Sequence, residues 1–282
     1  MPIDLADLQG NVLCGYGHSR AAYRFCRVDD AVAGRAWLAA LAPQVTSATP
    51  WTTRPERTLN VALSHSGLRA LSVPEAVLAQ LPSAFRAGMA ARAERLGDRG
   101  ADAPAHWDPG LDDQRAHVLL TVYADGTGAD ALDRALAAVP VPAGVSVLAT
   151  ERAALLPGGR EHFGFADGLA QPAVDDPVAG PYDGQGTPHR RNRRTPPVDR
   201  WRPIAPGEFI LGYPDEDGDV PGGPAPLDRN ATFMVVRKLA QDVGMWERQL
   251  RRWSGGDPAL GMLLAARQVG RWPNGTPVAR RP

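Results

Sequence analysis

The order of strand-like and helix-like segments predicts an α+β protein. In the first 155 residues, four runs of β-forming residues are separated by helical stretches in the order β-α-β-(α)-β-α-β. The chain has 282 residues, of which 44% are hydrophobic, and this length suggests about two domains with sizeable cores. After residue 206 the order is β, β, α, α, which lacks at least one strand of the same pattern. We therefore expect two ferredoxin-like (split βαβ) domains with antiparallel sheets, the second incomplete within this chain.

The strands of the first domain are marked by β-forming residues and bounded by turn signals. In AAYRFCRV, the aromatic residues Tyr23 and Phe25 alternate with arginines, as in a half-buried strand. Asp29 or Asp30 then caps an alanine-rich helix that runs to about Ala42, where Pro43 stops it. The predicted strands are Ala21–Val28, Thr58–Ser64, His117–Tyr123 and Val145–Thr150. Further helices are predicted at Ser66–Leu71, Pro74–Leu81 and Asp130–Val139.

The rest of the chain divides into a connection and a second domain. Residues 156–206 hold a glycine-rich motif and a long Pro/Arg-rich connection, and residues 207–282 form the first part of the second domain. GEFILGYP (207–214) and ATFMVVRKL (231–239) are predicted strands. Apolar residues at helical spacing predict an amphipathic helix over 239–253, and Asp257-Pro258 begins another that extends to about Gln268.

Composition excludes several classes of protein. A formal net charge of zero and a pI near 7 argue against a nucleic-acid or membrane-surface binder. Cys14 and Cys26 are the only cysteines, too few for a disulfide framework or a zinc site. No apolar run approaches the ~20 residues that a membrane span needs, and the N-terminus lacks a signal-peptide pattern. We therefore expect a cytoplasmic protein.

The segment REHFGFADGLAQP (160–172) is the strongest functional signal. It places Asp167 among glycines, an arrangement that suits a carboxylate held close to a ligand by permissive backbone. His189 is the last histidine of the chain. Chemistry at Asp167 that needs a downstream histidine must therefore take it from elsewhere.

HFGFADGLAQP resembles the signature of the DyP-type (dye-decolourising) haem peroxidases, in which the motif is Gly-x-x-Asp-Gly. The segments DLQGNVL, GEFILGYPDE, NATFMVVRKLAQDV and VGRWPNGTPV follow the family's order, so the resemblance covers essentially the whole chain. It implies two ferredoxin-like domains with haem b in the second. It also implies that the motif aspartate takes a proton from bound hydrogen peroxide and returns it to the leaving oxygen. A distal arginine stabilises the developing charge, and a proximal histidine binds the iron.

Only the motif itself transfers to this sequence residue by residue. Asp167 is the expected catalytic residue, and Gly164, Phe165, Asp167 and Gly168 are the expected cofactor-binding residues. The family's proximal histidine and distal arginine follow a segment like VGRWPNGTPV, with which this chain ends, so we expect no metal ligand in this chain. We expect a second polypeptide to supply both residues and the missing strand in a heterodimer, with a higher oligomer left open. Hydrogen peroxide and an organic reductant would be the substrates.

Other features have simpler interpretations. His162 is close to Asp167, but one short loop cannot readily supply both faces of a flat macrocycle. The arginine cluster at 190–194 and the acidic turn PDEDGD fit solvated loops, and the seven tryptophans fit core and interface packing rather than electron relay. Two alternatives stay open. One is a haem enzyme with a dedicated biosynthetic oxidation, for which the small Ala166 is a hint. The other is a haem-free scaffold.

Overall fold

A computed structural model describes residues 2–112, 114–126, 129–169, 171–175, 187–188 and 201–280. They form two compact units. Unit 1 is Met1–Ala153 with Pro172–Met234, and unit 2 is Ala154–Gln171 with Val235–Pro282. The domain boundaries inferred from the sequence stay a prediction. Most of the Pro/Arg-rich connection, including His189 and the arginine cluster, lies outside the described residues.

Unit 1 is built on a four-stranded antiparallel sheet, which confirms the predicted α+β class. The strands lie in the order β2-β3-β1-β4, the order of a split βαβ unit. In the central register, Tyr23 lies opposite Thr121, which in turn lies opposite Asn60. The strands are β1 (Arg20–Val28), β2 (Arg57–Leu63), β3 (Val118–Ala124) and β4 (Val145–Ala154). Two short segments, β5 (Thr187–Pro188) and β6 (Trp201–Arg202), pair with each other.

Two long helices cover one face of this sheet, and shorter ones lie in the connections. Asp30 caps the first long helix, accepting a hydrogen bond from Ala33 N at 2.7 Å. The core includes Cys26, whose pKa burial raises to about 11, and Trp37, whose indole donates to Pro140 O at 3.0 Å. The helices are α1 (Ala31–Leu41), α2 (His65–Ala70), α3 (Glu75–Leu78), α4 (Ser83–Ala87), α5 (Ala93–Leu96) and α6 (Ala129–Ala137).

The segment DLQGNVL covers the outer edge of β2. Gln9 donates from Nε2 to Val61 O at 2.8 Å and accepts from Val61 N at 2.9 Å, so one carboxamide pairs with the strand as a neighbouring peptide group would. Thr46 N donates to Leu59 O at 2.8 Å, and its hydroxyl accepts from Leu59 N at 3.0 Å. These bonds satisfy the backbone groups that an edge strand would otherwise leave open to another chain.

Neither strand predicted after residue 206 is present as a paired strand among the described residues. In 207–214, a 3-10 turn at Pro206–Glu208 leads into further turns. Ile210 and Tyr213 are both fully buried, and their spacing of three corresponds to one turn rather than to strand alternation. The stretch 231–239 makes no ladder with another described segment, and Val235, Val236 and Leu239 within it are exposed.

Unit 2 contains two helices, α7 (Val243–Trp253) and α8 (Pro258–Val269), which pack against each other. The first begins at 243 rather than at the predicted 239, because Asp242 caps it by accepting from Met245 N at 2.7 Å. Asp257 caps α8, as its position before Pro258 predicts. No helix in the described part of the chain has the length and apolar character needed to cross a membrane.

Candidate active site

The Gly-x-x-Asp-Gly motif forms a tight turn in unit 2. An isolated bridge pairs Arg160 with Ala166, so the chain reverses direction between them. Gly164 and Gly168 have φ values of 94° and 71°, which side chains of L residues rarely adopt. Arg160 closes the turn by donating from Nη1 to Gly164 O at 2.7 Å. The motif glycines are therefore required by backbone geometry on either side of Asp167.

Glu161 holds the inside of this turn. Its carboxylate accepts from Phe163 N and Phe165 N, both at 2.8 Å, and from Gln241 Nε2 at 2.7 Å. Burial alone would raise the pKa of Glu161, but these three hydrogen bonds outweigh it and hold the pKa below its usual value. Sequence reasoning missed Glu161. The sequence did offer one signal. An acidic residue lies two and four residues before backbone that must turn sharply.

The VGRWPNGTPV segment supports the motif turn from the other side. Arg271 and Pro277 form a bridge that closes a small hairpin, and Ala166 N donates to Pro273 O at 2.9 Å. Gly275 has φ 86°, and a Cβ built there would lie 2.1 Å from a methyl group of Leu169. Two segments that the sequence singled out separately are thus in direct contact. Glycine at 275 leaves the space in which Leu169 is seated.

Helix α7 provides a third support. Trp246 packs on Phe163 with ring centroids 5.1 Å apart, and Gln241 just before the helix reaches Glu161. Phe165 is buried within the turn, and Trp246 is half-buried. The turn is thus fixed by α7, the hairpin and its own side chains before any ligand is present.

Asp167 itself lies on the surface. Its backbone N–H donates to Gly159 O at 3.0 Å, and its Oδ1 accepts from Gly168 N at 2.7 Å. Within the described residues, the other carboxylate oxygen has no hydrogen-bond partner. The turn therefore fixes the backbone of Asp167 and leaves one carboxylate oxygen able to exchange a proton with a bound molecule.

The structure groups only part of the predicted site. Gly164, Phe165, Asp167 and Gly168 share one turn, in which Phe165 is buried and the last two are exposed. His162 is exposed in the same turn, whereas His18 and His117 belong to unit 1. Among the described residues, no cluster of three His, Cys, Asp or Glu side chains is arranged to hold a metal ion. The catalytic and cofactor roles of the four motif residues stay predictions.

Comparison with known proteins identifies the family. The model of the DyP dimeric alpha+beta barrel domain matches residues 7–147, which is half of the chain. The chain belongs to the dye-decolorizing peroxidase (DyP) family. It is 30% identical to a dye-decolorizing peroxidase of Mycena epipterygia, over 99% of this chain and 51% of that relative. It is 29% identical to a multifunctional dye peroxidase of an Amycolatopsis species, over 97% of this chain and 58% of that relative.

Solved DyP structures share this fold. A peroxidase of Auricularia auricula-judae superposes with a TM-score of 0.78 at 26% identity, over 99% of this chain and 59% of that one. A dye-decolorizing peroxidase with an engineered heme pocket superposes with a TM-score of 0.76 at 25% identity. The chain thus spans about half the length of the curated DyP relatives it matches.

The described residues of unit 2 fit one side of a haem. The motif turn presents a carboxylate oxygen beside the 45% exposed Leu169, a combination of acid and apolar surface that suits the face of a macrocycle. The two arginines next to the turn are engaged elsewhere, since Arg160 donates to Gly164 O and Arg271 to Gly275 O at 2.9 Å. Asp167 and Leu169 are the residues of this turn that would contact the group.

Proposed function

We propose that this chain is the distal-face subunit of a split DyP-type haem peroxidase that oxidises organic substrates with hydrogen peroxide. A second polypeptide would supply the proximal histidine and the distal arginine. The observation that carries the proposal is the pre-formed turn that exposes one oxygen of Asp167 beside apolar surface. Membership of the DyP family and similarity to dye-decolorizing peroxidases support its peroxidase chemistry.

The role of Asp167 would be proton transfer. When bound, haem b supplies the iron at which peroxide is reduced. The free oxygen of Asp167 would accept a proton from one oxygen of hydrogen peroxide and return it to the other oxygen, which leaves as water. The hydrogen bond from Gly168 N to Oδ1 keeps the carboxylate in one orientation while Oδ2 exchanges the proton. Glu161 and the 271–277 hairpin would serve as positioning elements, since they hold the turn.

The test is complementation. The chain is co-expressed with the C-terminal remainder of the Amycolatopsis dye peroxidase, the part that it does not match. The complex is then assayed for a pyridine haemochrome and for peroxide-dependent dye oxidation. We expect haem in the complex. Asp167→Asn should keep the haem and slow the reaction with peroxide by about 10²- to 10⁴-fold, the usual contribution of a positioned acid–base group.

A matched control and two outcomes decide the result. Asp217→Asn changes an equally exposed acid in unit 1 and should leave the rate unchanged. A complex that binds no haem would leave the haem-free scaffold as the better description. A haem complex that oxidises one metabolite but not dyes would favour the dedicated biosynthetic oxidation.

A further inference from the structure

Three side-chain oxygens buried in unit 1 have no hydrogen-bond partner among the described residues. They are Tyr16 Oη, Thr58 Oγ1 and Asn60 Oδ1, and the three residues are 7%, 1% and 1% exposed. The large majority of buried polar side-chain atoms are hydrogen-bonded, because leaving one unpaired costs its full desolvation free energy. If the three oxygens lie together, one bound molecule can satisfy them all.

The three residues lie on the face of the sheet that points away from α1 and α6. Thr58 and Asn60 flank Leu59, which packs in the core with those two helices, so both point to the other face. Tyr123 lies directly opposite Thr58 on β3, and the ring of Tyr16 packs edge-on against the ring of Tyr123 with centroids 5.8 Å apart. Tyr16 therefore covers the part of this face that holds Thr58 and Asn60.

The neighbours of Asn60 fix the orientation of its carboxamide. Its Nδ2 donates to Gln9 Oε1 at 3.2 Å and to Thr46 O at 3.4 Å. Gln9 is itself oriented by its two bonds with Val61, so its Oε1 can only accept from Asn60. A flipped carboxamide would place the oxygen of Asn60 against two acceptors. Asn60 Oδ1 therefore points away from Gln9 and needs a donor on its other side.

The hydroxyl of Tyr16 is close to Asn60 without bonding to it directly. Burial raises the pKa of Tyr16, and the side chain of Asn60 opposes that effect, which requires the two groups to be near each other. No direct hydrogen bond joins them. Two polar groups that are near each other but beyond bonding distance can be bridged by a water molecule.

We propose that unit 1 binds one structural water molecule between Tyr16 Oη, Thr58 Oγ1 and Asn60 Oδ1. The water would donate one hydrogen bond to Asn60 Oδ1 and the other to one of the two hydroxyl oxygens, and it would accept from the second hydroxyl. Three hydrogen bonds are typical of a buried water. The site would join the loop that holds Tyr16 to β2, alongside the bonds that Gln9 makes to the same strand.

A double-mutant cycle in urea unfolding of the full chain tests the site. Thr58→Val and Tyr16→Phe each remove one hydroxyl and should each lower the folding equilibrium constant about fivefold, because each takes one partner from the water. The double variant should lower it about tenfold or less, and not the ~25-fold expected of independent changes, since both hydroxyls bind the same water. Ser146→Ala is the control, because it removes a β4 hydroxyl bonded to Asp29 at the far edge of the sheet. Its effect should be additive with that of Thr58→Val.

Several results would overturn the proposal. A rise in the folding equilibrium constant of either single variant would show that the removed hydroxyl had no partner. Additive losses in the double variant would show that the two hydroxyls do not share a partner. A crystal structure of the unchanged chain gives a direct test that does not depend on the variants. It should show one water within about 3.2 Å of all three oxygens, and a direct bond between Tyr16 and Asn60, or no water at this position, would remove the site.

Discussion

Two segments rich in β-forming residues differ in how they are covered. The outer edge of β2 is covered within unit 1, where Gln9 and Thr46 bond to its backbone. In unit 2, Val235, Val236 and Leu239 are 74%, 42% and 73% exposed and lie outside any strand of the described residues. The same contrast holds for the cores. Unit 1 buries a sheet and its helices, whereas among its described residues unit 2 buries only Phe165, Ala265 and Ala266 as apolar side chains.

The buried core and the family motif therefore lie in different units. Unit 1 has its own sheet and helices with a large apolar core between them, which is what a domain is built around. Unit 2 holds the motif turn in place with local hydrogen bonds and leaves much of its apolar surface in water. The unit with the family motif is thus also the unit with the smaller buried core among the described residues.

The largest difference in unfolding free energy is expected between alanine substitutions of one helical glycine in each unit. A Cβ on Gly67 in α2 would lie 2.1 Å from His117 O, a backbone atom that cannot move aside, so Gly67→Ala should destabilise unit 1 by about 3 kcal/mol. Gly261 in α8 has only the Ser254 side chain nearby, at 3.5 Å, so Gly261→Ala should be neutral or stabilising by about 1 kcal/mol. Urea unfolding measures both. Equal losses of unfolding free energy in the two variants would show that both glycines are packed equally tightly.

Local features of the fold could be predicted from the sequence, whereas contacts between distant residues could not. Alternating β-formers and the Asp30 cap predicted the four strands and α1 within one to four residues, because these signals are local. The glycines around Asp167 predicted that it lies in a turn. It did not predict the covering of β2 by Gln9, since a carboxamide that imitates a peptide group depends on contacts 52 residues apart.

The second domain was harder to predict for a physical reason. A strand exists only when another strand pairs with it, and no described segment pairs with 231–239. The turn at 207–214 was wrongly predicted as a strand because its apolar residues are buried by tertiary contacts around Tyr213, whose hydroxyl donates to Asn230 Oδ1 at 2.6 Å. Glu161 was missed because its partners Phe163, Phe165 and Gln241 become neighbours only after folding.

Substitution of Gln9 removes the carboxamide that covers the outer edge of β2. Gln9→Ala leaves the N–H and C=O of Val61 without their partner and should cost about 1 to 3 kcal/mol. It should also expose the outer edge of β2 to other chains and so cause self-association, which analytical ultracentrifugation measures. Gln44→Ala removes an exposed amide with only two long bonds, to Ala40 O at 3.3 Å and from Arg57 Nη2 at 3.5 Å, and is the control. Destabilisation without self-association would mean that Gln9 contributes stability only.

A smaller effect is expected in the motif turn. Glu161→Ala leaves Phe163 N and Phe165 N without their acceptor and should destabilise the turn by about 1 to 2 kcal/mol. Amide exchange at residues 159–169 should speed up while that of β1–β3 stays unchanged. Glu247→Ala, at an exposed acid on α7 of the same unit, should change neither. If β1–β3 also exchange faster, the turn is coupled to unit 1 and the comparison between the units fails.

Acid should weaken the two units in different pH ranges. Burial lowers the pKa of His117 and of His18, the latter against the opposing effect of Asp125 at 3.4 Å. His117 Nδ1 also accepts from Val28 N at 3.1 Å, which requires that this nitrogen is unprotonated. The unfolded chain therefore binds more protons than unit 1 as the pH falls below the ordinary value of 6.5. Unit 1 should lose at most about 1.4 kcal/mol per pH unit for each histidine.

In unit 2 the corresponding group is Glu161, whose folded pKa is below its ordinary value of 4.5. Its contribution is complete above pH 4.5 and is lost as the pH falls through the folded pKa. Between about pH 5 and 6.5, acid should therefore weaken β1–β3 and spare the motif turn, which amide exchange can follow residue by residue. His117→Gln should flatten this slope, and His106→Gln, at an exposed loop histidine, should preserve it. Parallel loss of protection in both units across this range would show that they unfold as one body.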